Sequence, residues 1–186
     1  MRYLEISPTT ENDSHNALVA EITVASIHSQ IVKGERLYLT LPWVIFHHNL
    51  PRISQLRIIR VFSESLSALK SVSEALQDLA KTEIKEYNAD SNDLFYAFTN
   101  KKLMTKSRAM ALEKREQRAG KRVFNRNIVK DDNSVYIYAN SSSNNTRYSL
   151  RIVPEKGNGI CLDGHLNSYG LSGRENGNMV FLPVFI

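Results

Sequence analysis

The side chains of this chain that could do chemistry are few and scattered. His28 falls within a predicted amphipathic helix, four residues after Val24 and three before Ile31, on the shoulder of its apolar stripe. An imidazole there can take or give a proton near neutrality, or it can be a half-buried structural histidine. The tract Asn140-Ser-Ser-Ser-Asn-Asn-Thr146 separates two β-branched or aromatic runs, Val135–Tyr138 and Tyr148–Val153. It predicts a polar hairpin loop whose hydroxyls and amides could hold a ribose or a phosphate. Near the end comes Ser168-Tyr169-Gly170-Leu171-Ser172-Gly173, then Asn176-Gly177 and the apolar run Phe181–Phe185. Glycines in such a stretch mark turns, or allow a backbone to approach a phosphate closely. Two further groups suggest metal ligands but lack the pattern. His47-His48 beside Pro42-Trp43 reads as a loop pair, and Cys161, Asp163 and His165 have no second cluster to complete a site. No metal and no cofactor is therefore expected. The single cysteine also leaves no internal disulfide framework.

Charge is distributed very unevenly around these groups. Residues 99–126 carry ten Lys/Arg (Lys101, Lys102, Lys106, Arg108, Lys114, Arg115, Arg118, Lys121, Arg122 and Arg126) against Glu113 and Glu116, a net +8. The whole chain of 186 residues carries only +5. A solvated charged helix is the plain reading, but the acids that would pair such a helix with itself are nearly missing. A polyanion is the better match, and nucleic acid the expected one. Thr105 to Ala119 contains no Gly or Pro, and Gly120 is placed to end the helix. Arg108, Arg115, Arg118 and Arg122 fall close to one face, flanked by Lys114 and Lys121, with guanidinium forks suited to phosphates. The A-form groove is too narrow to read unless an open end or a short hairpin widens it. Asn100, Lys101 and Lys102 precede this helix and could meet base edges.

The elements that must position these residues read as α+β. Arg2–Ile6 alternates as a strand. Asp13 or Ser14 can cap a helix whose stripe is Ala17, Ala20, Val24, Ile27 and Ile31, ending before Gly34. Leu37, Leu39 and Leu41 alternate up to Pro42, and Leu56–Phe62 forms a third strand. Ser63 then caps a helix with stripe Leu66, Leu69, Val72, Leu76 and Leu79. A fourth strand lies at Ile84–Tyr87 or within Leu94–Thr99. This β-α-β-β-α-β order predicts a ferredoxin-like (RRM-like) domain over residues 1–97. Residues 98–186 form a C-terminal region with the arginine-rich helix and a short β-hairpin. The opening MRYLEISPTTENDS lacks the features of an export signal, and no run nears the ~18 apolar residues of a membrane span. A cytoplasmic protein without membrane contact is expected.

Taken in order along the whole chain, these features resemble the CRISPR repeat-processing endoribonucleases of type I-F (Ypest) systems. The most specific piece is the aromatic-Gly-Leu-Ser at Tyr169–Ser172, behind a basic helix and a histidine in the first helix. The resemblance implies that His28 is the catalytic general base and that Tyr169 orients it. It implies that Ser141 positions the scissile ribose, paired with Ser143, and that Tyr148 stacks on the terminal base pair where the family has Phe. Three consecutive serines leave a one-residue shift to Ser142 open. The best-known members carry Arg-x-Gln just before the basic helix, where this chain has Asn100-Lys101-Lys102. Asn and Lys can still contact base edges, so the departure leaves open which repeat sequence is read.

The activity implied is metal-independent cleavage of pre-crRNA at the 3′ base of the repeat hairpin, by attack of the 2′-OH on the neighbouring phosphate. The partners implied are the hairpin itself, retained as the crRNA 3′ handle, and other subunits of the Cascade complex, especially its backbone subunit. The alternative is a non-cleaving hairpin-binding subunit of a ribonucleoprotein, and a basic ribosomal-type protein is a further one.

Overall fold

The computed structural model describes residues 1–47, 54–90, 93–100, 106–120, 134–140, 146–173 and 178–185, with backbone alone at 106–109 and 112. Among these residues the fold is α+β, with two antiparallel four-stranded sheets and four α-helices.

The first sheet is built from β1 (Arg2–Pro8), β2 (Tyr38–Thr40), β3 (Ile59–Ser63) and β4 (Ala80–Glu86), in the order β2-β3-β1-β4. Strand alternation sorts its side chains onto two faces. Leu4 lies opposite Val61 and Ile84, and Ile6 opposite Ile59, all turned toward the helices. Tyr3 lies opposite Phe62, and Glu5 opposite Arg60, on the other face. The fourth strand is thus the earlier of the two sequence candidates. The later one, β5 (Leu94–Asn100), belongs to the second sheet.

Helix α1 (Asp13–Val32) buries Val19, Ala20, Val24 and Ile27 completely. Its cap is Asn12 rather than Asp13 or Ser14, because the Asn12 side chain is the one that accepts from a free N–H, that of Ser14 at 2.8 Å. Ala17 and Ile31 are only half-buried, so the packed stripe is displaced toward Val19 and Thr23. Gly34, at φ +95°, ends the helix as expected. Pro42 stops β2 but opens a helix that periodicity does not reveal, α2 (Pro42–Phe46), where its absent N–H costs nothing. The next strand starts later than Leu56, which sits in a 3₁₀ turn, Ser54–Leu56. Helix α3 (Leu66–Glu74) is capped by Ser65, which accepts from Ala68 N–H. Ser63, the expected cap, ends β3, and its hydroxyl donates to the Arg36 carbonyl at 2.8 Å. Leu69, Val72 and Leu76 are fully buried, whereas Leu66 is exposed.

The short hairpin expected after the basic helix is two strands of a larger sheet. Its strands β6 (Val135–Asn140) and β7 (Arg147–Gly157) join β5 and β8 (Leu182–Val184) in the order β6-β7-β5-β8. The expected division at residue 97 therefore falls inside β5. One continuous apolar core runs from Leu4, Ile6 and Val61 through Val24 and Ile27 of α1 to Ile137, Leu150 and Ile152. Helix α1 is shared by both sheets, and that shared position sets where its polar shoulder emerges. The outer face of the first sheet is covered by the later chain: Val180, Leu182 and Phe185 pack on Tyr3, Tyr38 and Phe62. There Glu5 accepts from Arg60 and from Lys85 at 2.8 Å. Burial pushes the Glu5 carboxyl up, but these hydrogen bonds and the Arg60 charge outweigh it and hold the group below its ordinary range. No helix among the described residues is long and apolar enough to cross a membrane.

Candidate active site

His28 follows Ile27, which is wholly buried in the core. The next residue along the helix therefore comes out at the rim of that core, half-buried. Its Nδ1 lies 3.0 Å from the backbone carbonyl of Ser168, 140 residues further along the chain. A carbonyl can only accept, so Nδ1 carries the proton and donates. The lone pair is then on Nε2, the tautomer a base requires.

Tyr169 stacks on the His28 ring, with centroids 5.0 Å apart and planes inclined by 21°. Burial pushes its phenol up, so it stays neutral through the ordinary pH range. Tyr148, on β7, meets Tyr169 edge to face at 6.1 Å. The structure thus brings together His28, Tyr169 and Tyr148 from three distant parts of the sequence. The segment that carries Tyr169 is fastened to the first sheet, because Leu39 N–H donates to the Gly170 carbonyl at 2.8 Å. Gly170 has φ +71°, and a Cβ there would lie 2.8 Å from the Leu37 carbonyl and 3.1 Å from Ile27. Only glycine fits both the backbone angle and the space.

One residue of this corner gives no signal in the sequence. Glu21 lies on α1 seven residues before His28, two helical turns away on nearly the same side. Its carboxylate accepts from Asn140 at 3.0 Å and from Arg147 at 2.6 Å. Asn140 and Arg147 are the last register pair of the β6–β7 hairpin. Glu21 therefore grips the hairpin where the serine tract leaves it. The Arg147 guanidinium also lies 4.2 Å over the Tyr138 ring. Ser141, Ser142 and Ser143 lie outside the described residues.

The cationic element, α4 (Lys106–Arg118), is a helix of thirteen residues. Lys114, Arg115 and Arg118 are exposed, and Arg115 and Arg118 occupy its last turn, where the helix dipole favours cations. Gly120 follows at φ +64°, and its N–H donates to the Gln117 carbonyl. Arg108 is on this helix with its side chain outside the description. Lys101, Lys102, Lys121 and Arg122 lie outside it altogether, and Asn100 is exposed at the end of β5. The ligand-like groups stay apart. His47 ends α2 with its ring stacked on Trp43 at 3.9 Å, Cys161 pairs by its backbone with Phe181, and His48 lies outside the described residues. Among the described residues no group of three His, Cys, Asp or Glu side chains could hold a metal ion.

No family model matches the chain, and no curated protein matches it in sequence. Chemically, the site offers an imidazole oriented through Nδ1 whose Nε2 has no partner among the described residues, a neutral phenol against its face, and a second aromatic ring beside them. That combination can accept a proton from a hydroxyl next to a stacked planar group.

Proposed function

We propose that this protein is a metal-independent endoribonuclease of the type I-F CRISPR repeat-processing kind. It would bind the repeat hairpin, cleave pre-crRNA at its 3′ base and stay on the crRNA handle within Cascade. The observation that carries this reading is the meeting of His28, Tyr169 and Tyr148, three residues that the resemblance singles out independently of their positions in space. The strand order β2-β3-β1-β4, with α1 and α3 as the crossover helices and the short α2 inserted between β2 and β3, supports a ferredoxin-like first half; residues 98–186 would be the RNA-binding region. The exposed cations of α4 suit the phosphates of a hairpin stem.

In this reading Nε2 of His28 takes the proton of the 2′-OH, held by Ser141. The 2′-oxygen attacks the adjacent phosphorus in line as the bond to the 5′-oxygen breaks. The products are a 2′,3′-cyclic phosphate and a 5′-OH, the leaving oxygen regaining a proton from imidazolium or from water. Tyr169 keeps the imidazole plane fixed, and Tyr148 covers the end of the stem. The RNA supplies its own nucleophile, so a base and a correct geometry suffice.

The test is cleavage of a labelled type I-F repeat hairpin in EDTA by wild type and His28→Ala, with binding measured in parallel. Cutting by wild type alone, with both proteins binding, supports the proposal. Binding without cutting by either overturns it in favour of a hairpin-holding subunit.

A further inference from the structure

We infer that Asn167 is a positioning residue for His28, acting through the peptide bond between Ser168 and Tyr169. The inference rests on the reading of His28 as the base, and extends it to a residue that does not itself touch the imidazole.

The geometry is specific. The Asn167 side-chain oxygen accepts from the backbone N–H of Tyr169 at 2.9 Å and from that of Leu171 at 3.1 Å. Its own N–H donates to the Leu171 carbonyl at 2.9 Å, and its carbonyl accepts from Gly170 N–H at 3.2 Å. Asn167 thus closes the turn from both sides, as asparagine does in turns where its side chain imitates a backbone carbonyl. The N–H of Tyr169 and the carbonyl of Ser168 belong to one planar peptide unit. Holding that N–H fixes the direction of the carbonyl on the opposite edge, which is the carbonyl that accepts from His28 Nδ1 at 3.0 Å. An engaged N–H also makes the carbonyl of the same unit a stronger acceptor. The chain Asn167 side chain, peptide 168–169, imidazole therefore sets both the ring orientation and the tautomer that leaves Nε2 free. Tyr169 leaves the same peptide, so one grip positions the carbonyl and the stacking ring together.

Alanine at 167 removes both side-chain hydrogen bonds, whereas aspartate keeps an acceptor in the same place. Two readouts separate this role from simple support of the fold. The first is the imidazole nitrogen shifts of His28 by NMR in the full chain without RNA, above its titration. Wild type and Asn167→Asp are expected to hold the Nδ1–H tautomer, and Asn167→Ala to give a mixture. The second is single-turnover cleavage of the repeat hairpin. Asn167→Ala is expected to cut roughly tenfold or more slowly, the loss of about 1.4 kcal/mol of positioning, with hairpin affinity within about twofold of wild type and Asn167→Asp restoring most of the rate. An Nε2–H tautomer in wild type overturns the inference, as does an unchanged tautomer in a folded Asn167→Ala. A rate loss that Asn167→Asp fails to recover overturns it too. If the tautomers behave as expected but wild type does not cut RNA, Asn167 still positions His28 and the ribonuclease reading falls instead.

Discussion

The corner around His28 and the basic helix α4 are held in opposite ways. His28 is stacked, hydrogen-bonded and set at the edge of a core shared by two sheets, and Gly170 and Glu21 fix the segments that face it. Helix α4 exposes Lys114, Arg115 and Arg118 to solvent, with a left-handed glycine just beyond its end. In the proposed function, the difference would follow from what each task demands. Proton transfer needs atoms placed within tenths of an ångström, and misplacement by about 1 Å can cost on the order of a hundredfold. Attraction of a polyanion acts through many phosphates over about a Debye length, roughly 8–10 Å at moderate salt, and tolerates motion.

Substitutions at the corner should break the comparison most severely. His28→Ala is expected to slow hairpin cleavage by on the order of 10²–10⁴, with the dissociation constant nearly unchanged, measured by single-turnover kinetics beside filter binding. Tyr169→Phe keeps the ring that stacks on His28 and should cut almost as wild type, whereas Tyr169→Ala should approach the His28→Ala rate. An equal loss from both Tyr169 variants would mean that the hydroxyl, not the ring, matters.

Removing Arg115 and Arg118 together should act on affinity instead. The hairpin should bind about tenfold or more weakly, and the slope of log K against log salt should flatten by about 0.7–0.9 for each phosphate that the protein no longer neutralises. High protein concentration should recover most of the cleavage rate. An unchanged slope in binding isotherms between low and high salt would place the RNA elsewhere.

Glu21→Ala should fall between the two regions, because it frees the end of the hairpin without touching the imidazole. Charge-assisted hydrogen bonds at a partly exposed site are each worth about 1 kcal/mol. A several-fold slower cut with near-normal salt dependence is expected from the same two assays.

The smallest effect lies in the frame. Glu5 is held ionised by Arg60 and Lys85, with its carboxyl below the ordinary range. Its contribution is complete above the normal carboxylate pKa and is lost as the pH falls through the lowered value. Glu5→Gln should therefore melt a few degrees below wild type near neutrality, with the two curves of Tm against pH converging in acid.

Much of the first sheet is legible in the sequence because Leu4/Ile6, Leu37/Leu39 and the stripes of α1 and α3 follow strict periods. The caps, Asn12 and Ser65, stand one or two residues from their expected places, since several polar residues in a row suit a cap equally well. Strand β5 is ambiguous because Leu-Phe-Tyr-Ala-Phe is apolar throughout and does not declare which sheet it joins. Helix α2 escapes notice because five residues are too few to show a period. His28, Tyr148 and Tyr169 are visible as residue types in a familiar order, but their meeting is a property of the folded chain alone. Glu21 and Asn167 have no local signal whatever: one is an ordinary surface-type acid on a helix, the other an ordinary turn residue.

The bond from His28 to Ser168 spans 140 residues. While the chain is being made, the first helix leaves the ribosome long before the carbonyl that orients its imidazole has been synthesised. The outer face of the first sheet waits equally long for Phe185. In the proposed function, a nascent chain that lacks Ser168 has no assembled base, so RNA near the ribosome would meet a silent protein. Contacts of such long sequence separation also close slowly, so under that proposal the chemistry would be switched on late in folding.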